Sequence, residues 1–270
     1  MAHPPYDDLL ALACEVAEEA ARLVADRRRR GVRVAGTKSS QVDIVTEVDR
    51  AAEALIRDRL LADRPGDGFL GEEGGESDGS TTGVTWVVDP IDGTVNFLYG
   101  IPQYAVSIAA RVDDVVVAGV VLNVGTGERF TATSGGGSFR DGERLRVRDT
   151  VPLAERLVLT GFSYVAEVRA RQAEAVSRLL PRVRDIRRFG SAALDLCAVA
   201  AGRADGYVEE GVNPWDVAAG GLVATEAGAR LRTGTGTGGM RLVVCAPEPG
   251  FEALSAAVQE CGFVGPRGWE

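Results

Sequence analysis

Histidine is almost missing from this chain. Of 270 residues only His3 is one, close to an end that is prone to fraying. Its scarcity removes a Ser-His-Asp triad, a Cys-His pair and a His-bound zinc from consideration unless His3 is ordered and recruited. Lysine is as scarce, with Lys38 alone among 30 basic residues. Heavy arginine use fits a GC-rich genome, and chance can leave one lysine. A compact, mobile ammonium is also what a phosphate or a metal-bound water would call for, so Lys38 is a candidate contact.

Cysteine pairs are missing too. Cys14, Cys197, Cys245 and Cys261 form no C-x-x-C and sit in apolar surroundings, as buried reduced thiols do. There is no long uncharged apolar run: Glu15, Glu18 and Glu19 interrupt Leu9 to Val24, which suits an amphipathic helix and not a membrane span. With no signal-peptide pattern, the expectation is a soluble, cytoplasmic protein without membrane partners. Net positive charge is lacking as well. Acidic residues outnumber basic ones 39 to 30, giving −9, which argues against a nucleic-acid surface. A phosphorylated substrate stays open, because a bound metal reverses the local field.

Residues 6–30 carry apolar positions at helical spacing and end in Arg27 to Arg30 before Gly31. Those cations complement a helix dipole or, alternatively, form a polyanion patch. A strand at 42–46 precedes a helix over 47–62, and buried strands at 69–70 and 85–88 lead into acidic motifs. Antiparallel strands are expected at 104–111, 115–123 and 128–133, joined by Asp113-Asp114 and Gly125-Thr126-Gly127 turns. Residues 149–152 divide the chain into an N-terminal half (1–150) and a C-terminal half (151–270) of one compact unit. In the second half, strands at 157–160, 185–187, 206–208 and 241–245 alternate with helices near 166–180, 192–201, 215–227 and 250–260. Residues 233–239, rich in glycine, are expected to be a loop.

What the chain does have is carboxylates in short motifs: Gly71-Glu72-Glu73, Asp89-Pro90-Ile91-Asp92-Gly93-Thr94 and Trp215-Asp216. Each lies where a strand ends or a helix begins. A lone D-P-x-D is usually a turn and a cap. Three such motifs together fit carboxylates gathered for a hard cation such as Mg²⁺, beside helix-start amides suited to a phosphate.

The combination resembles the inositol monophosphatase family, the lithium-sensitive phosphatases related to fructose-1,6-bisphosphatase. Lys38 to Asp43, Thr46-Glu47-Val48-Asp49, Gly71-Glu72-Glu73, Asp89 to Phe97, Gly190-Ser191-Ala192-Ala193 and Asn213 to Gly220 match its motifs in order and spacing. The resemblance implies an α/β fold of alternating helix and sheet layers, an αβαβα sandwich, and a homodimer. It implies two or three Mg²⁺ per site. Glu72, Asp89 and the Ile91 carbonyl would hold the first; Asp89, Asp92 and Asp216 the second; Glu72 also a weaker third. Thr94 would orient the attacking water with Asp49 accepting from its hydroxyl, so that Glu72, Thr94 and Asp49 form the catalytic set. Gly93 and Thr94 amides would meet the phosphate, and Ser191, Ala192, Glu209 and Asp216 the substrate, a small phosphorylated polyol. Val95-Asn96-Phe97 resembles the branch acting on inositol phosphates. Histidinol phosphate, fructose 1,6-bisphosphate and adenosine 3′,5′-bisphosphate are the alternative substrates, and a regulatory protein with a macromolecular partner is the alternative of another class.

Overall fold

The structure is a computed structural model. It describes residues 6–30, 34–37, 44–76 and 79–269, with backbone alone at 34–37, 44–46 and 76. Lys38 lies outside the described residues, as does His3.

The first half runs α1 (Asp7–Arg30), β1 (Val34–Thr37), β2 (Ile44–Thr46), α2 (Glu47–Asp63), β3 (Gly68–Gly71), β4 (Gly75–Glu76), β5 (Val84–Asp92) and α3 (Thr94–Tyr99). It continues with β6 (Ala105–Val112), β7 (Val115–Asn123), β8 (Arg129–Thr133), β9 (Gly137–Arg140) and β10 (Glu143–Arg144). Then come β11 (Leu157–Thr160), α4 (Ala166–Leu179), β12 (Asp185–Arg187), α5 (Ala192–Ala200), β13 (Gly206–Glu210) and α6 (Pro214–Glu226). The chain closes with β14 (Ala229–Gly236), β15 (Arg241–Pro247), α7 (Phe251–Glu260) and β16 (Val264–Trp269).

Two large sheets result. The first has eight strands in the order β10-β9-β8-β7-β6-β5-β3-β4, and the second six in the order β12-β11-β13-β15-β14-β16. Side chains alternate across each strand, so each sheet feeds two cores. Trp86, Val88, Val106 and Ile108 join Ala13, Val16 and Ala17 of α1 and Ile56 and Leu60 of α2 on one face. Val87, Ala105, Ala109 and Val121 face the other way, onto α5 and α6. Tyr207, Val243 and Cys245 of the second sheet close that same middle core. Their neighbours Val208, Leu242 and Val244 turn outward onto Ala175 of α4 and Leu254 and Val258 of α7. Five layers follow: α1 and α2, a sheet, α5 and α6, a sheet, then α4 and α7.

The expected loop at 233–239 is corrected over 233–236, which belong to β14, while 237–239 form the turn to β15. β14 is hydrogen-bonded to β15 along seven register pairs from Ala229–Pro247 to Thr235–Arg241. Its glycines and threonines carry little hydrophobic alternation, so pairing and not side-chain burial makes the strand. The hairpin turn at Asp113-Asp114 forms as expected, with φ of 47° and 65°. No described helix is long and apolar enough to cross a membrane.

Candidate functional site

β5 carries the D-P-x-D acids farther than the sequence suggests, because the strand runs on through Asp92. Pro90 has no N–H to give, and pairing with β6 skips from Asp89–Ser107 to Asp92–Ala105. Within the skip, Ile91 N–H donates to Asp89 Oδ1 at 3.0 Å. Gly93 follows at φ 97°, and a Cβ there would meet the Gln103 carbonyl oxygen at 2.9 Å, so both conformation and space require glycine.

Thr94 opens α3. Its hydroxyl lies 3.1 Å from Asp49 Oδ1 and 3.1 Å from the Ile91 carbonyl oxygen. Asp49, fully buried, comes from the first turn of α2. A hydroxyl has one proton, and two acceptors compete for it here. Its oxygen lone pairs are therefore left to accept from another donor, such as a water.

The second half supplies the other wall. Ser191 caps α5 by accepting from Leu194 N–H at 3.3 Å. The same hydroxyl donates to Asp92 Oδ2 at 2.6 Å, and Ala193 N–H reaches that oxygen at 2.7 Å. The sequence suggested that Ser191 meets the substrate. In the structure its buried hydroxyl donates to Asp92, a geometry suited to holding that acid in place. At the start of α6, Asp216 accepts Asn213 N–H at 2.6 Å and completes a capping box.

These segment ends converge on a cavity of about 600 Å³. Glu72, Asp89, Ile91, Asp92, Gly93 and Thr94 line it from the first half, and Ala192, Glu209 and Asp216 from the second. Asp49 and Ser191 stand outside the lining and touch it through Thr94 and Asp92. Asn96 and Phe97 of the V-N-F tripeptide are also buried behind it. The Asn96 amide donates at 2.7 Å to both the Gln103 and Phe189 carbonyls, tying the segment after α3 to the one before α5.

Burial dominates the electrostatics. It pushes Asp92 up to about 6, against the bonds from Ser191 and Ala193 that favour the anion. Asp216 is raised well above the carboxylate range by burial, then by Asp92 and Glu72. Glu209 rises to about 7 through burial, held back by Arg188 and by the Tyr207 hydroxyl that donates to it at 3.0 Å. Burial leads in all three, and neighbouring carboxylates add to it at Asp216 and Glu209.

The donor set suits a hard divalent cation in chemistry, because it is all oxygen and rich in carboxylates. Among the described residues no group of three or more acidic, histidine or cysteine side chains is placed closely enough to hold a metal ion as it stands. The fit therefore rests on donor chemistry and on the shared cavity.

Several wall residues have no motif that marks them in the sequence. Arg50 and Arg188 add positive charge to the lining, and Phe162 and Tyr164 add apolar surface. Asp195 of α5 is fully buried, with neither carboxylate oxygen hydrogen-bonded. Burial and then Glu209 raise its pKa well above the usual range. Its signal, an acid on an otherwise apolar helix, was present in A-A-L-D-L-C.

Five alternating layers around an acid-lined cavity make this a layered α/β protein with the donor set of a metal-assisted hydrolase. The chain belongs to the inositol monophosphatase family, whose sequence model matches residues 6–262. An inositol-1-monophosphatase of Mycobacterium bovis is 48% identical over 277 residues, covering 96% of each chain. The Nus factor SuhB of Escherichia coli K12 is 41% identical over 229 residues, covering 84% of this chain and 86% of its own. Among solved structures, Mycobacterium tuberculosis SuhB superposes with a TM-score of 0.82 at 45% identity, covering 96% of this chain and 98% of that one.

Proposed function

We propose that the protein is a Mg²⁺-dependent phosphomonoesterase acting on inositol 1-phosphate. One observation carries this reading: Glu72, Asp89, Asp92 and Asp216 line a single cavity with Thr94, whose hydroxyl proton is already engaged. Glu72, Asp89, Asp92, Asp216 and the Ile91 carbonyl would hold the cations. Bound there, Mg²⁺ lowers the pKa of water and offsets charge on the phosphoryl oxygens, which replaces the missing histidine base.

The remaining work falls to the chain. Asp49 keeps the Thr94 proton turned inward, so the Thr94 oxygen accepts from the attacking water and aims it. The Gly93 and Thr94 amides, at a helix start without intrahelical acceptors, meet the phosphate. Glu209 accepts from ring hydroxyls, and Ala192 provides close backbone approach beside it. Arg188, at the wall, favours a substrate that carries negative charge.

The two halves, 1–150 and 151–270, act as one unit, since each supplies part of the acid set. Homodimerisation would give the exposed apolar side chains Tyr99, Ile101 and Phe189 a surface to cover. Lithium sensitivity is the further property that the family resemblance implies.

A second reading has one observation in its favour: a 41% identical relative is named a Nus factor. In it, the chain binds a macromolecular partner and catalysis is secondary. Phosphate release from purified protein on inositol 1-phosphate, histidinol phosphate, fructose 1,6-bisphosphate and adenosine 3′,5′-bisphosphate separates the readings. Highest kcat/KM on inositol 1-phosphate supports the first, a preference for another member of the panel reassigns the substrate, and no release on any of them favours the second.

A further inference from the structure

α2 meets the site twice. Asp49 reaches Thr94, and Glu53, one helical turn later, reaches the turn that carries Glu72. The two positions are i and i+4, about 6 Å apart along the axis and on one face. Both are buried.

Glu53 lies inside the turn that carries Glu72. Its Oε2 accepts Glu73 N–H at 2.7 Å, and its carboxylate also accepts from Gly74 N–H. The fit is tight on both sides. A Cβ on Gly71 would overlap the Glu53 carboxylate, and one on Gly74 would lie 2.8 Å from Oε1. The glycines of G-E-E-G therefore leave room for the close approach of a side chain from 20 residues upstream. Glu72 itself is anchored on its other side, where its N–H donates to the Val88 carbonyl of β5 at 3.3 Å. The backbone on either side of Glu72 is thus held, by β5 before it and by Glu53 after it.

We propose that Glu53 is a positioning residue for Glu72, and that α2 sets the spacing between Glu72 and Thr94 by gripping both through carboxylates one turn apart. This deepens the metal-site reading and rests on it. Glu53 touches neither substrate nor cation; it acts by fixing the turn that presents a ligand. Supporting groups of this kind typically change metal affinity 10–100-fold when removed.

Two variants probe the contact from opposite sides. Glu53→Gln keeps the side-chain volume but turns an amide NH₂ toward one of the two N–H donors. Gly74→Ala leaves Glu53 intact and places a methyl against Oε1, in an exposed turn with ordinary φ. Two readouts are needed: Mg²⁺ affinity by calorimetry, and hydrogen exchange of the Glu73 and Gly74 amides in chelator. The expected result for both variants is 10–100-fold weaker Mg²⁺ binding and at least about tenfold faster exchange at those two amides. Strand amides of β5 and β6 should exchange as in wild type, and kcat should recover to within about threefold at saturating Mg²⁺. Wild-type Mg²⁺ affinity in both variants overturns the proposal, because the turn then does not position Glu72. Unchanged exchange at Glu73 and Gly74 in both variants overturns it too. A wild-type protein that binds no Mg²⁺ contradicts the metal site itself, an outcome distinct from unchanged variants beside a wild type that binds.

Discussion

The Ser191 hydroxyl donates to Asp92 Oδ2 at 2.6 Å, joining residues 99 apart in sequence. Asp92 ends a strand of the first sheet, and Ser191 caps a helix that packs against the second. The bond therefore couples the two halves at the acid cluster, and breaking it acts on ligand geometry before it acts on the fold.

Ser191→Ala should raise the Mg²⁺ concentration for half-maximal activity roughly 10-fold or more. Loss of the cap costs about 1 kcal/mol of stability. Ser191→Thr keeps both hydrogen bonds and should restore the wild-type Mg²⁺ requirement. A raised substrate KM with an unchanged Mg²⁺ requirement would return Ser191 to the substrate contact expected from sequence.

Thr94→Ala should lower kcat by roughly 10²-fold with little change in KM, since water orientation matters mainly in the transition state. Steady-state kinetics at saturating Mg²⁺ check this. An effect confined to KM would make Thr94 a binding residue.

The metal-free protein should become less stable as pH rises. Burial lifts Asp92 to about 6 and Glu209 to about 7. A carboxyl that binds its proton more tightly folded than unfolded contributes stability that is complete below its unfolded pKa. That contribution is lost as pH climbs through the folded pKa. From Asp92 alone it amounts to at most about 3 kcal/mol at about 1.4 kcal/mol per unit. Melts in chelator should show a falling Tm between about pH 5 and 8, with a shallower fall in Glu209→Gln and a reversal on adding Mg²⁺. A chelated Tm that climbs across that range would contradict the electrostatic account.

Phe189→Asp and Ile101→Asp should each weaken self-association at least about tenfold, read as a shift toward the monomer mass in light scattering, because a charge is placed in an apolar contact. A wild-type protein that is already monomeric at high concentration removes the dimer from the account.

Much of the site was legible because its acids occupy strand and helix ends, where Pro90, Gly93 and Pro214 punctuate the chain. Helices α1, α2 and α5 were legible from apolar spacing and caps. β14 was not, since its Gly-Thr repeats look like a loop until β15 supplies the ladder. The direction of the Ser191 hydroxyl depends on Asp92, far away in sequence, and no local pattern encodes it. Glu53 was hidden for a related reason: its partners are backbone amides, which every residue but proline carries. Asn96 was read as a marker of substrate branch, and its physical work is to join the segments at Gln103 and Phe189.

The most direct test is phosphate release from inositol 1-phosphate by purified wild type and Asp92→Asn, each titrated with Mg²⁺ from chelator to saturation. The account predicts no turnover in chelator, saturable activation of the wild type, and less than a tenth of that rate in Asp92→Asn at any Mg²⁺ concentration. Both proteins should keep a cooperative melt, with the variant no less stable in chelator. Turnover that persists in chelator, or an Asn variant running near the wild-type rate at saturating Mg²⁺, would contradict it.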